Sequence, residues 1–320
     1  MKKISQLLAL LLAGLLLAGC AGFQNKLFDW GLSLERGRSD LEAGTIQVDG
    51  RTTAYVERAG QPGGGTIVLL HGFTADKDNW IRFVRHLPER YRVLAVDLPG
   101  HGGSTQDMSQ RYAVSDITGR LAASLERLVP EPFHLAGNSL GGLVSIYYTL
   151  AHPDQVRSLG LFNAAGVISP QPSRHQQLAD QGRNMLLPAT RAEFLEMLDF
   201  VFCEQPFIPW PGRNVLARNY LDNYAFNKKM WQDLHARDAE MDVSPRLSEL
   251  DLPVLVLWGD QDKVLDVSAV EVFARHLPRS ATVIMEDCGH LPMMERPQES
   301  AAHYRRFLET AAAAGTDVSE

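Results

Sequence analysis

Ser139 stands between two glycines in the run Phe133-His134-Leu135-Ala136-Gly137-Asn138-Ser139-Leu140-Gly141-Gly142. An apolar stretch leads into Gly-x-Ser-x-Gly, and small and apolar residues follow, among them Leu143, Val144, Ile146 and Tyr147. That pattern predicts a strand, a sharp turn and a helix, with the serine hydroxyl lifted out at the turn. Gly137 and Gly141 would let the two backbones approach closely. The helix N-terminus would favour negative charge developing beside the serine. A serine so placed is suited to nucleophilic attack on an acyl carbonyl.

A serine hydroxyl needs a base to take its proton and a carboxylate to hold that base. For this kind of turn the partners follow in the order acid, then histidine. The apolar stretch Pro253-Val254-Leu255-Val256-Leu257-Trp258 ends in Gly259-Asp260-Gln261-Asp262, which puts two carboxylates beyond a strand end. Ligands gather at the carboxyl ends of strands in open parallel sheets. Asp262, three residues past Gly259, can turn back toward the serine and is the favoured acid. Asp260 sits at the strand end, where an aspartate commonly caps the loop. Among the later histidines, His276 and His303 fall in helical stretches, whereas His290 follows the last strand in Asp287-Cys288-Gly289-His290. His290 is therefore the expected base. The oxyanion would be held by the N–H of Leu140, after the serine, and by that of Phe73, where strand 66–70 runs into His71-Gly72-Phe73.

Taken together, His71-Gly72-Phe73, Asp78-Asn79-Trp80, Asp97-Leu98-Pro99-Gly100-His101-Gly102, the serine turn, Trp258-Gly259-Asp260-Gln261-Asp262 and Gly289-His290-Leu291-Pro292 resemble the α/β-hydrolase superfamily. They are most similar to bacterial lipases and esterases related to monoacylglycerol lipases, over roughly residues 45–312. The resemblance implies a carboxylic-ester hydrolase acting on lipids through an acyl-serine, with Ser139, Asp262 and His290 as triad, Phe73 and Leu140 as oxyanion donors, and no cofactor or metal. It leaves phospholipase or lysophospholipase action as the alternative. Asn138 also resembles carbon–carbon bond hydrolases, but these typically carry an aromatic residue after the histidine, where this chain has Leu291-Pro292. A catalytically silent lipid-binding lipoprotein is the remaining alternative, disfavoured by the ordered triad.

The elements that must position these residues follow from the alternation of apolar stretches and helical patterns. Strands are expected near 45–49, 52–58, 66–71, 92–97, 133–138, 157–163, 253–258 and 281–286. Helices are expected near 78–87, 112–129, 140–151, 268–277 and 298–312. This predicts an α/β fold with a mostly parallel eight-stranded sheet covered by helices on both faces, its first two strands forming an antiparallel edge around Asp49-Gly50. Between about Gly166 and Ser248 the alternation stops, and helical patterns rich in Met, Phe, Tyr and Trp take over. This segment is expected to form a cap over Ser139 with an apolar pocket for acyl chains. The core is thus assigned to 45–165 and 249–312, the cap to 166–248, and a short tail to 313–320.

At the N-terminus, Lys2 and Lys3 precede an apolar run from Leu7 to Ala18 that is shorter than the roughly 20 residues of a membrane span. Residues 1–19 therefore read as a secretory signal. Its end, Leu17-Ala18-Gly19-Cys20, resembles a bacterial lipobox, which implies a lipid on Cys20 and an exported, membrane-anchored protein. In a Gram-negative host, Ala21 after that cysteine is similar to outer-membrane sorting signals. Residues 20–44 form an anchor segment in which Phe23, Leu27, Trp30 and Leu34 share one helical face, either packed on the domain or lying at a lipid interface. The formal charge of −7 becomes −9 once Lys2 and Lys3 are removed, which argues against nucleic acid as partner. Cys203 and Cys288 remain, and two buried free thiols are favoured over a disulfide. Oligomeric state, chain length and head group are not set by these patterns.

Overall fold

The computed structural model describes residues 21–316. The signal segment and Cys20 lie outside the described residues. Helix α1 (Ala21–Gly37) comes first, then strands β1 (Glu42–Val48), β2 (Arg51–Arg58) and β3 (Thr66–Leu70). After β3 come the short α2 (Ile81–Val84), β4 (Arg92–Val96), α3 (Val114–Leu128), β5 (Phe133–Ser139), α4 (Leu140–Ala151) and β6 (Val156–Ala164). Helices α5 (Arg174–Ala179), α6 (Arg191–Val201), α7 (Gly212–Asp222), α8 (Tyr224–His235) and α9 (Asp238–Met241) follow without an intervening strand. The chain then returns to the sheet through β7 (Val254–Gly259), α10 (Ala269–His276), β8 (Ser280–Met285), α11 (Pro292–Glu295) and α12 (Pro297–Thr316).

The eight strands form one sheet in the order β1-β2-β4-β3-β5-β6-β7-β8. β1 and β2 pair antiparallel with Val48 opposite Arg51, across a turn in which Asp49 and Gly50 both have positive φ. That is the geometry a two-residue hairpin demands. β2 also meets β4 antiparallel, and β3 through β8 run parallel. The expected α/β-hydrolase sheet is therefore present, with every expected strand in place. The expected helix at 78–87 is shorter: a 3-10 turn over Lys77–Trp80 runs into α2, which ends at Val84.

Sheet periodicity sorts the core. In β3, Val68 and Leu70 face α3 and α4 with Leu121, Leu125 and Val144, while Ile67 and Leu69 face Trp80, Phe83, Tyr304 and Leu308 on the other side. All five β3 residues are buried, as a strand covered on both faces requires. The helices between β6 and β7 carry a separate cluster, including Phe194, Met197, Leu198, Val201 and Tyr220.

α1 divides its apolar residues between two directions. Phe28 and Leu32 turn inward, whereas Trp30 is 62% exposed and Phe23 and Leu34 are exposed too. Arg36 near its end clamps Asp78 through Nε at 2.7 Å and Nη2 at 2.5 Å. The helix thus packs on the domain through one face and leaves Phe23, Trp30 and Leu34 uncovered on another. Cys288 is buried and Cys203 is exposed, and neither is in a disulfide. The expectation of two buried thiols is corrected for Cys203, which follows α6 on the outer surface of the helical segment.

Candidate active site

The serine turn has the geometry its glycines allow. Ser139 ends β5 with φ 54° and ψ −121°, and α4 begins at the next residue. A non-glycine residue in such a region costs on the order of 1–3 kcal/mol and persists only where the surroundings enforce it. Here they do: a methyl group added at Gly141 would stand 2.4 Å from the His71 carbonyl oxygen, and one at Gly137 would stand 2.2 Å from the Gly141 oxygen. The turn is thus pressed against the loop after β3. Leu140 opens α4, where first-turn N–H groups have no intrahelical acceptor. The Phe73 N–H, in the loop after β3, also meets no acceptor among the described residues.

The two strand-end carboxylates separate by their partners. Asp262 Oδ2 lies 2.8 Å from His290 Nδ1 and accepts a second bond from Asn163 Nδ2 at 2.7 Å. Its Oδ1 accepts the N–H groups of Val264 and Leu265 at 2.8 and 3.1 Å. Four donors thus converge on one buried carboxylate. With Oδ2 as the acceptor, Nδ1 of His290 is the donor of this bond and Nε2 is left free to accept a proton. Asp260 instead accepts the Cys288 N–H at 3.3 Å and holds the loop together. His276 and His303 sit in α10 and α12, with His276 Nδ1 at 2.9 Å from the Val272 carbonyl.

The loop carrying His290 is fixed from three sides. Asn138, beside the serine, donates its amide to the His290 carbonyl at 3.0 Å and to the Phe162 carbonyl at 2.9 Å. The His290 N–H donates to the Val201 carbonyl at the end of α6 at 2.9 Å. Glu295 accepts the Gly289 N–H on Oε1 at 2.8 Å and the Cys203 N–H on Oε2 at 2.9 Å. One carboxylate therefore bridges the His290 loop to the segment after α6.

Asn163 and Glu295 escaped the reading of the sequence. Asn163 lies at the end of β6 with φ 43°, a conformation asparagine tolerates, and a polar residue at a parallel strand's carboxyl end was the available signal. Glu295 gave no local sign, because its partners are backbone groups, one six residues away and one 92 residues away on another loop.

Ser139, His290 and Phe73 line one cavity of about 470 Å³ between the sheet and the helices inserted after β6. Its apolar wall includes Phe194, Met197, Leu198 and Val201, joined by Phe28 and Leu32 from α1. Beneath it, His71 donates Nδ1–H to the Gly72 carbonyl at 2.8 Å and accepts the Leu98 N–H on Nε2 at 3.0 Å. Burial lowers its pKa to about 4, so the ring is neutral. Asp97 holds Lys77 through its backbone N–H at 2.7 Å and its Nζ at 3.0 Å.

A serine in a strained strand–helix turn, an aspartate-backed histidine and this strand order define a class of protein. Residues 67–303 match the alpha/beta hydrolase family, and the chain belongs to it. It is similar to Lipase 1 of Psychrobacter immobilis, 31% identical over 278 residues, 86% of this chain and 87% of that one. It is also 32% identical to monoacylglycerol lipase abhd6-B of Xenopus laevis over 261 residues, covering 78% of this chain and 77% of the relative. Among solved structures, a membrane phospholipase A described as a bacterial virulence factor superposes with a TM-score of 0.88 at 40% identity, over 98% of this chain and 99% of that one.

Proposed function

We propose that the protein is a carboxylic-ester hydrolase acting on lipids, with Ser139 as nucleophile, His290 as base and Asp262 as the acid that orients it. The observation that carries this reading is the strained Ser139 on the same cavity as a histidine whose Nδ1 is held by a buried aspartate. Ser139 Oγ attacks the ester carbonyl while His290 Nε2 takes its proton. The N–H groups of Phe73 and Leu140 hold the oxyanion. The alcohol leaves with the proton from His290, and water then cleaves the acyl-serine by the same path reversed. The apolar wall receives the acyl chain. The lipases and the monoacylglycerol lipase among the relatives support glyceride esters. Similarity to the membrane phospholipase A supports a second reading, in which a membrane phospholipid or lysophospholipid is the substrate.

A fluorophosphonate probe tests the core of this reading. Wild-type protein is expected to label on one residue, and folded Ser139→Ala to lose both label and at least about 10³-fold in turnover. Retained labelling of Ser139→Ala would remove the assignment.

The cap, residues 166–248, covers this site in our reading, and residues 1–19 are a signal that leaves Cys20 lipidated. No helix among the described residues is long and apolar enough to cross a membrane. The described residues open in α1, and its exposed Phe23, Trp30 and Leu34 suit a lipid interface. Cys20→Ser is expected to move most of the enzyme out of the membrane fraction. A wild-type protein that keeps Met1 and a bare Cys20 in mass spectrometry would contradict the lipoprotein reading.

A further inference from the structure

The proposed chemistry uses Ser139, Asp262, His290 and an apolar wall, and leaves a polar wall of the same cavity without a role. Asn219, Asn223 and Asn227 recur every fourth residue across the junction of α7 and α8, and all three line the cavity. Four-residue spacing places them in one row. Asn227 is only 7% exposed, yet its carboxamide makes no hydrogen bond among the described residues. Asn223 spends one N–H on the Asn219 carbonyl at 2.9 Å and keeps its side-chain oxygen open. Asp76 lines the same space: Oδ1 accepts the Asp78 N–H at 2.8 Å and Oδ2 has no partner among the described residues.

Asn227 is the buried member of the row, Asn223 is half-buried and Asn219 is exposed, so the unpartnered carboxamide of Asn227 on the cavity wall is left for a group that enters the cavity. A carboxamide offers both donors and acceptors, and a hydroxyl is likewise both. Positive charge for a phosphate is lacking on this wall. Lys77 is the only lysine or arginine among the described lining residues, and its Nζ is committed to Asp97 at 3.0 Å. Burial, with the Asp78 and Asp97 carboxylates close by, pushes the Asp76 carboxyl up to about 7, so near neutral pH it can also serve a hydroxyl as donor or acceptor.

We propose that Asn219, Asn223 and Asn227, with Asp76, form a subsite that binds the free hydroxyls of a glyceryl group, the alcohol half of the ester. This rests on the reading of the cavity as an ester-hydrolase site. Free glyceryl hydroxyls occur both in monoacylglycerols and in lysophospholipids, and the recognition chemistry is shared.

The test is binding rather than turnover, so that it stands apart from the catalytic assignment. Three unhydrolysable ethers of one octyl chain are titrated into full-length Ser139→Ala protein: octylglycerol, octyl methyl ether and octylglycerophosphocholine. Adding Asn227→Leu is expected to weaken octylglycerol about five- to tenfold more than octyl methyl ether, the range of one or two neutral hydrogen bonds. An equal loss for octylglycerophosphocholine identifies the lysophospholipid as a second source of the same group, and a loss confined to octylglycerol assigns the monoacylglycerol. Equal losses for octylglycerol and octyl methyl ether, or none for either, would overturn the subsite. Should Asn227→Leu fail to fold, Asn223→Leu, at the less buried helix junction, gives the same discrimination. Failure of Ser139 to label with fluorophosphonate would sink the hydrolase reading while leaving these affinities measurable.

Discussion

The sheet and the inserted helices build the same cavity by opposite means. On the sheet side, side chains are fixed by strand register: Ser139, Asn163 and Asp262 stand at or just beyond the ends of the neighbouring strands β5, β6 and β7, and β3 between β4 and β5 is buried throughout. Hydrogen bonds of 2.7–3.1 Å converge there on one carboxylate. On the side of the inserted helices, short helices joined by loops carry a separate apolar cluster and a row of asparagines on the cavity wall. The difference teaches a division of labour. In the proposed function, the chemistry that tolerates little displacement sits on paired strands, and the wall that would fit a substrate sits on the inserted helices.

The largest effect should fall on the sheet side. Asp262→Asn is expected to lower turnover by about 10³–10⁴-fold, because an amide at that position no longer holds the Nδ1–H tautomer. Asp260→Asn should cost far less, since Asp260 meets only a backbone N–H at 3.3 Å. Both variants assayed on one ester decide it, and a worse defect in Asp260→Asn would reverse the roles.

Acid should attack the same side next. His71 titrates near 4 in the folded protein, against about 6.5 when unfolded. Between those values the unfolded chain binds more protons, so stability is complete above the unfolded pKa and drains away as pH falls toward 4. His71 contributes up to about 3 kcal/mol to that slope. Burial also lowers His134 to about 4, which steepens it. Thermal melts from pH 4 to 7 should show a midpoint rising with pH, less steeply in His71→Asn. Asp76, raised to about 7, slopes the opposite way, so the difference decides it: profiles that run parallel in wild type and His71→Asn would contradict the neutral buried ring.

The smallest expected effect sits at the seam between the two regions. Glu295→Gln keeps the shape but replaces one carboxylate oxygen with an NH₂ facing a backbone donor, at Gly289 or at Cys203. Hydrogen bonds to a charged group are worth about 1.5–3 kcal/mol, and a loss of that size in denaturant unfolding is expected. If the seam positions His290, kcat should fall on short and long esters alike. A change confined to KM for long chains would place the effect on the cap instead.

Much of the sheet was legible in the sequence, and the reason is periodicity. Apolar strands bounded by glycine, proline and aspartate announce a parallel sheet whichever residues they later touch. The serine turn was legible because Gly137 and Gly141 have no side chains to spare at a 2.2–2.4 Å approach. Cys203 was misread because burial depends on which face of the inserted segment turns outward, and no local pattern sets that. α1 supported two readings because an amphipathic helix declares an apolar face without saying what covers it.

By itself the sequence determined the class of fold, the order of strands along the chain and the residue types available at strand ends. Local propensity and hydrophobic spacing act over a few residues and need no knowledge of the rest. Spacing already favoured Asp262 over Asp260, and the fold sets Asp262 against His290; tertiary structure alone decided that Asn163 shares its carboxylate and that Glu295 joins Gly289 to Cys203. Those contacts bring together groups 28 to 99 residues apart, apart from the short reach from Glu295 to Gly289. Only the closure of the chain into one sheet, with a helical layer folded back over its carboxyl edge, sets which distant polar atoms must satisfy one another.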